Sequence, residues 1–218
     1  MKHVKFWLII LSLLLSSPGF SEGVGFHVKS KGTQTFKTVD KIGRSQMIFI
    51  SNAPMEDFMG SAAAVSAELK FDPENVTKTI VAKFSVEVKS MTTGLQMRDE
   101  DMQGENWLDA DKYPTINFSL TKLENTKQTD VNRIEAVAVG NFTMHGITKT
   151  ISIPITLNYM EENEVTRRKI PGDILILLSK FSVKYSDYGV KGLTPLVGTR
   201  VAEHINIEVN IYCSNTLK

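Results

Sequence analysis

Along most of the chain apolar and polar residues take turns, and a period of two sends successive side chains to opposite faces of a strand. The pattern is clearest from Ile80, where Ile80, Ala82, Phe84, Val86 and Val88 share one face and Lys83, Ser85, Glu87 and Lys89 share the other with Val81. It recurs at Val65, Ala67, Leu69 and Phe71, at Ile116, Phe118 and Leu120, and at Ile151, Ile153, Ile155 and Leu157. It returns at Phe181, Val183 and Tyr185, and once more through Ile205, Ile207, Val209 and Ile211. Less regular strands around Thr33 to Val39, Met47 to Ser51 and Ile134 to Met144 bring the expected total to eight or more. Turn residues at Asp72-Pro73, Asn125, Glu161 to Asn163 and Pro171-Gly172 mark the breaks. Evenly spaced strands with one dry face each predict an all-β antiparallel barrel or sandwich.

One stretch departs from this period. Thr93 to Tyr113 is rich in helix formers over its first half, and Thr93 is placed to cap a short helix there. Leu95 and Met102 would share a face, Arg98 would meet Asp101 or Met102, and Gly104 would end the helix. A lone amphipathic helix between barrel strands has a place to bury its apolar side, namely across an open end.

At the amino terminus Lys2 and Lys5 precede an apolar run from Phe6 to Leu15 broken only by Ser12. About ten apolar residues reach only about 15 Å as a helix, roughly half the hydrocarbon thickness of a bilayer. The run therefore reads as a cleaved signal peptide rather than an anchor, with cleavage expected after Ser21 and export to the periplasm. Residues 22–218 would then form one domain. With 25 basic and 24 acidic residues there is no electrostatic footprint for nucleic acid. A single cysteine, Cys213, means that an exported fold must be stable without an internal disulfide.

Two further stretches carry a resemblance: GLQMRDEDMQGENWLDADKYPTINF, from Gly94 to Phe118, and GNFTMHGITKTISIPI, from Gly140 to Ile155. In this order, and followed by SKFSVKYSDYGV from Ser179 to Val190, they resemble the YceI-like family of exported polyisoprenoid-binding proteins. The resemblance implies an elongated eight-stranded, lipocalin-like barrel with one short helix at an end and an apolar interior that holds an isoprenoid or other long-chain lipid. The chain departs from the family pattern at Asp101, where members usually carry histidine, and at Trp107, where phenylalanine is common. Extra sequence lies before Phe36 and around Leu193 to Arg200.

On this reading the apolar lining includes Ala82, Phe84 and Val86 from one strand and Ala138, Phe142 and Met144 from another. Leu95, Met97, Arg98, Met102 and Trp107 supply the rim. Small and large residues alternate inward, which leaves room for a ligand or fits a packed taper. Arg98, Asp99 and Asp109 either contact a polar head or fix the helix to the rim by caps and ion pairs. Between two strong strands, His145-Gly146 reads as a hairpin turn in which glycine supplies the positive φ.

Catalysis and metal binding find little support. A nucleophile beside an oriented base is missing, and the three histidines after the leader, His27, His145 and His204, do not have ligand spacing. The many methionines suit adaptable apolar filling, with soft Cu(I) as the sharper alternative. No cofactor or metal is expected. The competing readings are an enzyme acting on a lipid intermediate, with His145 or Asp99 as acid or base, and a ligand-free structural sandwich.

Overall fold

In the computed structural model, residues 23–40 and 45–216 are described, so the expected leader lies outside the described residues. The strands are β1 (Gln34–Thr38), β2 (Gln46–Asn52), β3 (Asp57–Ala62), β4 (Val65–Phe71), β5 (Val81–Glu87) and β6 (Met91–Thr92). They continue as β7 (Thr115–Asp130), β8 (Arg133–Met144), β9 (Ile147–Met160), β10 (Ile174–Lys184) and β11 (His204–Ser214). Short helices α1 (Val76–Thr79), α2 (Gln96–Gln103) and α3 (Glu164–Arg167) lie between strands.

Hydrogen bonding runs β1-β4-β5-β7-β8-β9-β10-β11, and β11 returns to β1 through Lys37 opposite Ser214. Eight antiparallel strands thus close on themselves, which leaves the ring without an open edge. The remaining three strands extend one part of the wall: β2 pairs with β11, β3 with β2, and β6 with β3. In effect β1 continues into β2, β3 into β4 and β5 into β6, each across an interruption. The last of these is a single 3-10 turn at Val88–Ser90. The three interruptions fall on neighbouring strands of the ring.

Alternation is obeyed where it was clearest. Ala82 and Val86 are buried while Val81, Lys83 and Glu87 face solvent. One expectation fails for a physical reason, and one strand, β3, carried no signal to read. Asn125 is not a turn but a positive-φ residue in β7, within a register shift between Glu124 and Lys127 that lets the strand run on to Asp130. Strand β3 escapes the alternation rule because its apolar Met59 faces solvent while Gly60 is buried.

Gly140 in mid-β8 has a steric reason. A Cβ there would lie 2.4 Å from the Ser119 carbonyl oxygen and 2.5 Å from Phe118 Cζ, so any side chain would push β7 away. The β8–β9 hairpin turns through His145 at φ 51° and Gly146 at φ 75°, so both central residues, not glycine alone, adopt the left-handed region of a primed turn.

One end of the barrel is sealed. Phe26, Phe36, Phe71 and Tyr159, each at most 2% exposed, pack ring to ring with centroids 5.2–6.2 Å apart. Phe26 reaches this plug from the segment before β1, held by its N–H to the Pro73 carbonyl and by Thr77 N–H to the Val24 carbonyl. Behind it the Tyr159 hydroxyl donates to Asp173, which also accepts from Ser30 Oγ and from the Glu162 N–H. Burial and that carboxylate push the Tyr159 phenol well above its usual range.

Candidate functional site

Above the plug the barrel is hollow. A cavity of about 480 Å³ lies inside it, a size that suits a small-molecule ligand. Its floor is Leu69, Leu157, Leu177 and Ile211, each at most 5% exposed and each the inward member of an alternating strand. Ala82 on β5 and Ala138 on β8 are small inward residues that leave space open, each on the same strand face as a larger ring, Phe84 and Phe142. Side chains of this kind offer dispersion and area burial and almost no hydrogen bonding, so the middle of the cavity selects for hydrocarbon.

The far end is the mouth, formed by α2, the β2–β3 turn and the loop between β10 and β11. Leu95, Met97, Arg98, Met102 and Trp107 all line it, as do Leu196 and Arg200 from the opposite loop. The helix does not bury an apolar face as expected: none of its residues is buried, and Met97 is 70% exposed. Nor does Thr93 cap it. Leu95 occupies the N-cap without a side-chain bond, and Asp99 instead reaches back to accept from Thr92 Oγ1 at 2.5 Å and from the Thr93 N–H and hydroxyl at 2.6 Å each. Burial raises the Asp99 carboxyl, but those three hydrogen bonds and Arg98 outweigh it and hold the group below the usual carboxylate range.

Arg98 meets neither of its expected helical neighbours. Its guanidinium pairs with Glu56 on the β2–β3 turn and lies 4.5 Å from the centroid of Phe58, which ties the helix to the rim. His145 stands outside the cavity lining. Its ring packs 4.5 Å from the Tyr113 ring centroid and its Nδ1 donates to the Tyr188 carbonyl at 3.2 Å, the arrangement of a turn residue. Among the described residues no three His, Cys, Asp or Glu side chains stand together as metal ligands. No helix among them is long and apolar enough to cross a membrane.

Residues 37–213 match the YceI-like domain. The chain belongs to the YceI-like family. A UPF0312 protein of Pseudomonas putida is 30% identical over 158 residues, covering 70% of this chain and 72% of that protein. Among solved structures, BcnA of Burkholderia cenocepacia superposes with a TM-score of 0.63 at 20% identity over 80% of this chain and 98% of that one. A polyisoprenoid binding domain from Saccharophagus degradans superposes with a TM-score of 0.58 at 9% identity, covering 85% and 99%. These likenesses establish the shared barrel.

The cavity wall carries Ala82, Phe84 and Val86 from β5, Ala138, Phe142 and Met144 from β8, and Leu95, Met97, Arg98, Met102 and Trp107 at the mouth. Glu56, Leu196 and Arg200 were not legible from the sequence, because they arrive from loops with no periodic signal. Tyr185 did carry a signal, as the last inward member of the Phe181, Val183 and Tyr185 face, yet its hydroxyl gave no reason to separate it from core.

Proposed function

We propose that this protein is an exported, non-catalytic carrier that sequesters an isoprenoid-type lipid in its barrel. The observation that carries the reading is the cavity: hydrocarbon-lined, sealed below by the aromatic plug and open above. Burial contributes roughly 0.8 kcal/mol per methylene, so three isoprene units offer on the order of 10 kcal/mol before the cost of ordering the chain. The tail alone is enough for tight binding, and the rim then chooses among head groups. The polyisoprenoid-binding domain of Saccharophagus degradans, which has the same fold, supports the same class of cargo. Export is supported by Lys2 and Lys5 before the short apolar run, with a mature start near Glu22.

Mass spectrometry of an organic extract of the purified protein, together with amino-terminal sequencing, tests this. A prenyl or other long-chain lipid at near one per protein and a start near Glu22 are expected. An empty extract from a protein whose melting temperature does not respond to added prenyl lipids would overturn the carrier reading, since any ligand of the folded state raises it.

A further inference from the structure

Seven large apolar side chains among the described residues are more than half exposed, and four of them, Met55, Met59, Leu95 and Met97, gather at the mouth of the barrel. The other three, Val81, Val131 and Val165, stand on three separate elements, β5, the β7–β8 turn and α3. Specific contacts draw the four together. The β3–β6 register, with Ser61 opposite Thr92, brings Met59 alongside Gly94 and so beside Leu95. Arg98 pairs with Glu56 and lies over Phe58, which holds α2, and Met97 with it, against the β2–β3 turn that carries Met55. Leu95 and Met97 also belong to the cavity lining, so the apolar surface continues from the interior onto the outside. A group of large apolar side chains left in water in this way marks a surface that another molecule covers.

The same two elements are acidic. Residues 53–59 and 94–105 contain six carboxylates, Glu56, Asp57, Asp99, Glu100, Asp101 and Glu105, against one cation, Arg98, in a chain with 25 basic and 24 acidic residues. Arg98 is taken by Glu56, and Asp99 by Thr92 and Thr93. Asp57, Glu100, Asp101 and Glu105 are exposed and form no ion pair among the described residues. The loop across the mouth adds no excess of either sign, since Lys191 and Arg200 balance Asp187 and Glu203. We propose that this collar docks a basic amphipathic helix of a partner protein, its apolar stripe on the four exposed side chains and its lysines or arginines toward the free carboxylates. Methionine suits such a face because its unbranched thioether adapts to whatever side chains arrive. The eight residues of α2 rise about 12 Å, roughly two turns of a partner helix. An anionic bilayer is repelled by the four free charges, and a zwitterionic one gains nothing from them. A second copy of the chain, meeting collar to collar, would set like charge against like. The proposal goes beyond the carrier reading and holds whatever the barrel contains.

The test follows the fluorescence anisotropy of a labelled leucine–lysine amphipathic helix titrated with the purified protein, beside peptides of the same apolar pattern with glutamine or glutamate in place of lysine. The lysine peptide is expected to bind about tenfold more tightly than the glutamine peptide, an advantage that shrinks as salt rises, and the glutamate peptide least tightly of all. Met55→Ser combined with Met97→Ser should weaken the lysine peptide about tenfold. Glu100→Gln combined with Asp101→Asn and Glu105→Gln should erase most of its advantage over the glutamine peptide. All five residues are exposed, so the melting temperature should not move. Val165→Ser, which alters an apolar side chain 72% exposed on α3, should leave peptide binding unchanged. Equal binding of the lysine and glutamine peptides, or an equal loss in Val165→Ser, would overturn the proposal. Flotation with phosphatidylcholine or phosphatidylglycerol vesicles that the double serine variant abolishes would overturn it in favour of a bilayer. Sedimentation as a dimer that the same variant dissolves would overturn it in favour of a second copy.

Discussion

Ala82→Trp separates a ligand cavity from a packed core. Ala82 is 2% exposed, pairs across the sheet with Leu69, and lies on the cavity wall between the inward Ile80 and Phe84. An indole at this point takes the place of about one isoprene unit, roughly five carbons. At roughly 0.8 kcal/mol per buried carbon the lost burial is about 4 kcal/mol, on the order of a thousandfold in affinity. In a core packed to normal density the same side chain would instead cost the fold about 1–3 kcal/mol, because no space would receive it. The hollow seen above Leu69 predicts the first outcome: the delipidated variant melts no lower than the parent, while its co-purified lipid falls sharply. Melting curves and lipid extraction on the same preparation decide the matter. A variant that is strongly destabilised and yet retains its lipid would refute the placement of Ala82 on an open cavity.

Other outcomes follow from the turn and from the buried thiol. His145→Asn should leave ligand content and melting unchanged, since asparagine tolerates a positive φ, whereas His145→Val should lower stability by about 1–2 kcal/mol in denaturant titrations because of the φ of 51° at that residue. Equal stability of the two variants would contradict the turn assignment, and loss of ligand from a folded His145→Asn protein would point to a functional histidine. Burial, slightly offset by a contact from Thr38, pushes the Cys213 thiol up to about 12. Native protein should therefore resist Ellman's reagent between pH 7 and 9 and react only in denaturant. The folded state favours the protonated thiol, so this contribution to stability is complete below the unfolded value near 9 and is lost as pH rises toward 12. The raised Tyr159 phenol acts in the same direction, and thermal melts that stay flat with pH above 9 would refute both.

Periodicity revealed those parts of the molecule that repeat. β5, with its run of seven alternating residues, announced its inward face, and so did the faces of β8 and β9; the eleven residues placed on the lining come from such faces or from the one segment that broke the rule. What stayed hidden was everything set by a single long-range meeting. The Arg98–Glu56 pair joins positions 42 apart, and the Phe26 plug depends on where the chain before β1 happens to lie. The interruption between β5 and β6 was likewise obscure, because the 3-10 turn at Val88–Ser90 breaks the strand without a change of composition. The cap of α2 was misread for a related reason: Thr93 and Asp99 do bond to each other, but Thr93 donates to the carboxylate on the helix, whereas a capping threonine would accept from the helix N–H groups.

The aromatic plug also decides what kind of traffic the protein supports. With Phe26, Phe36, Phe71 and Tyr159 closing one end, a molecule that enters must leave by the doorway it came through. For a carrier, loading and unloading through that one doorway would therefore not overlap in time. On the proposed carrier reading the barrel is then a container rather than a conduit: net movement of lipid across an aqueous space would require the whole protein to diffuse, so flux would scale with the number of protein molecules and with how fast each empties, and no gradient across the barrel would drive it.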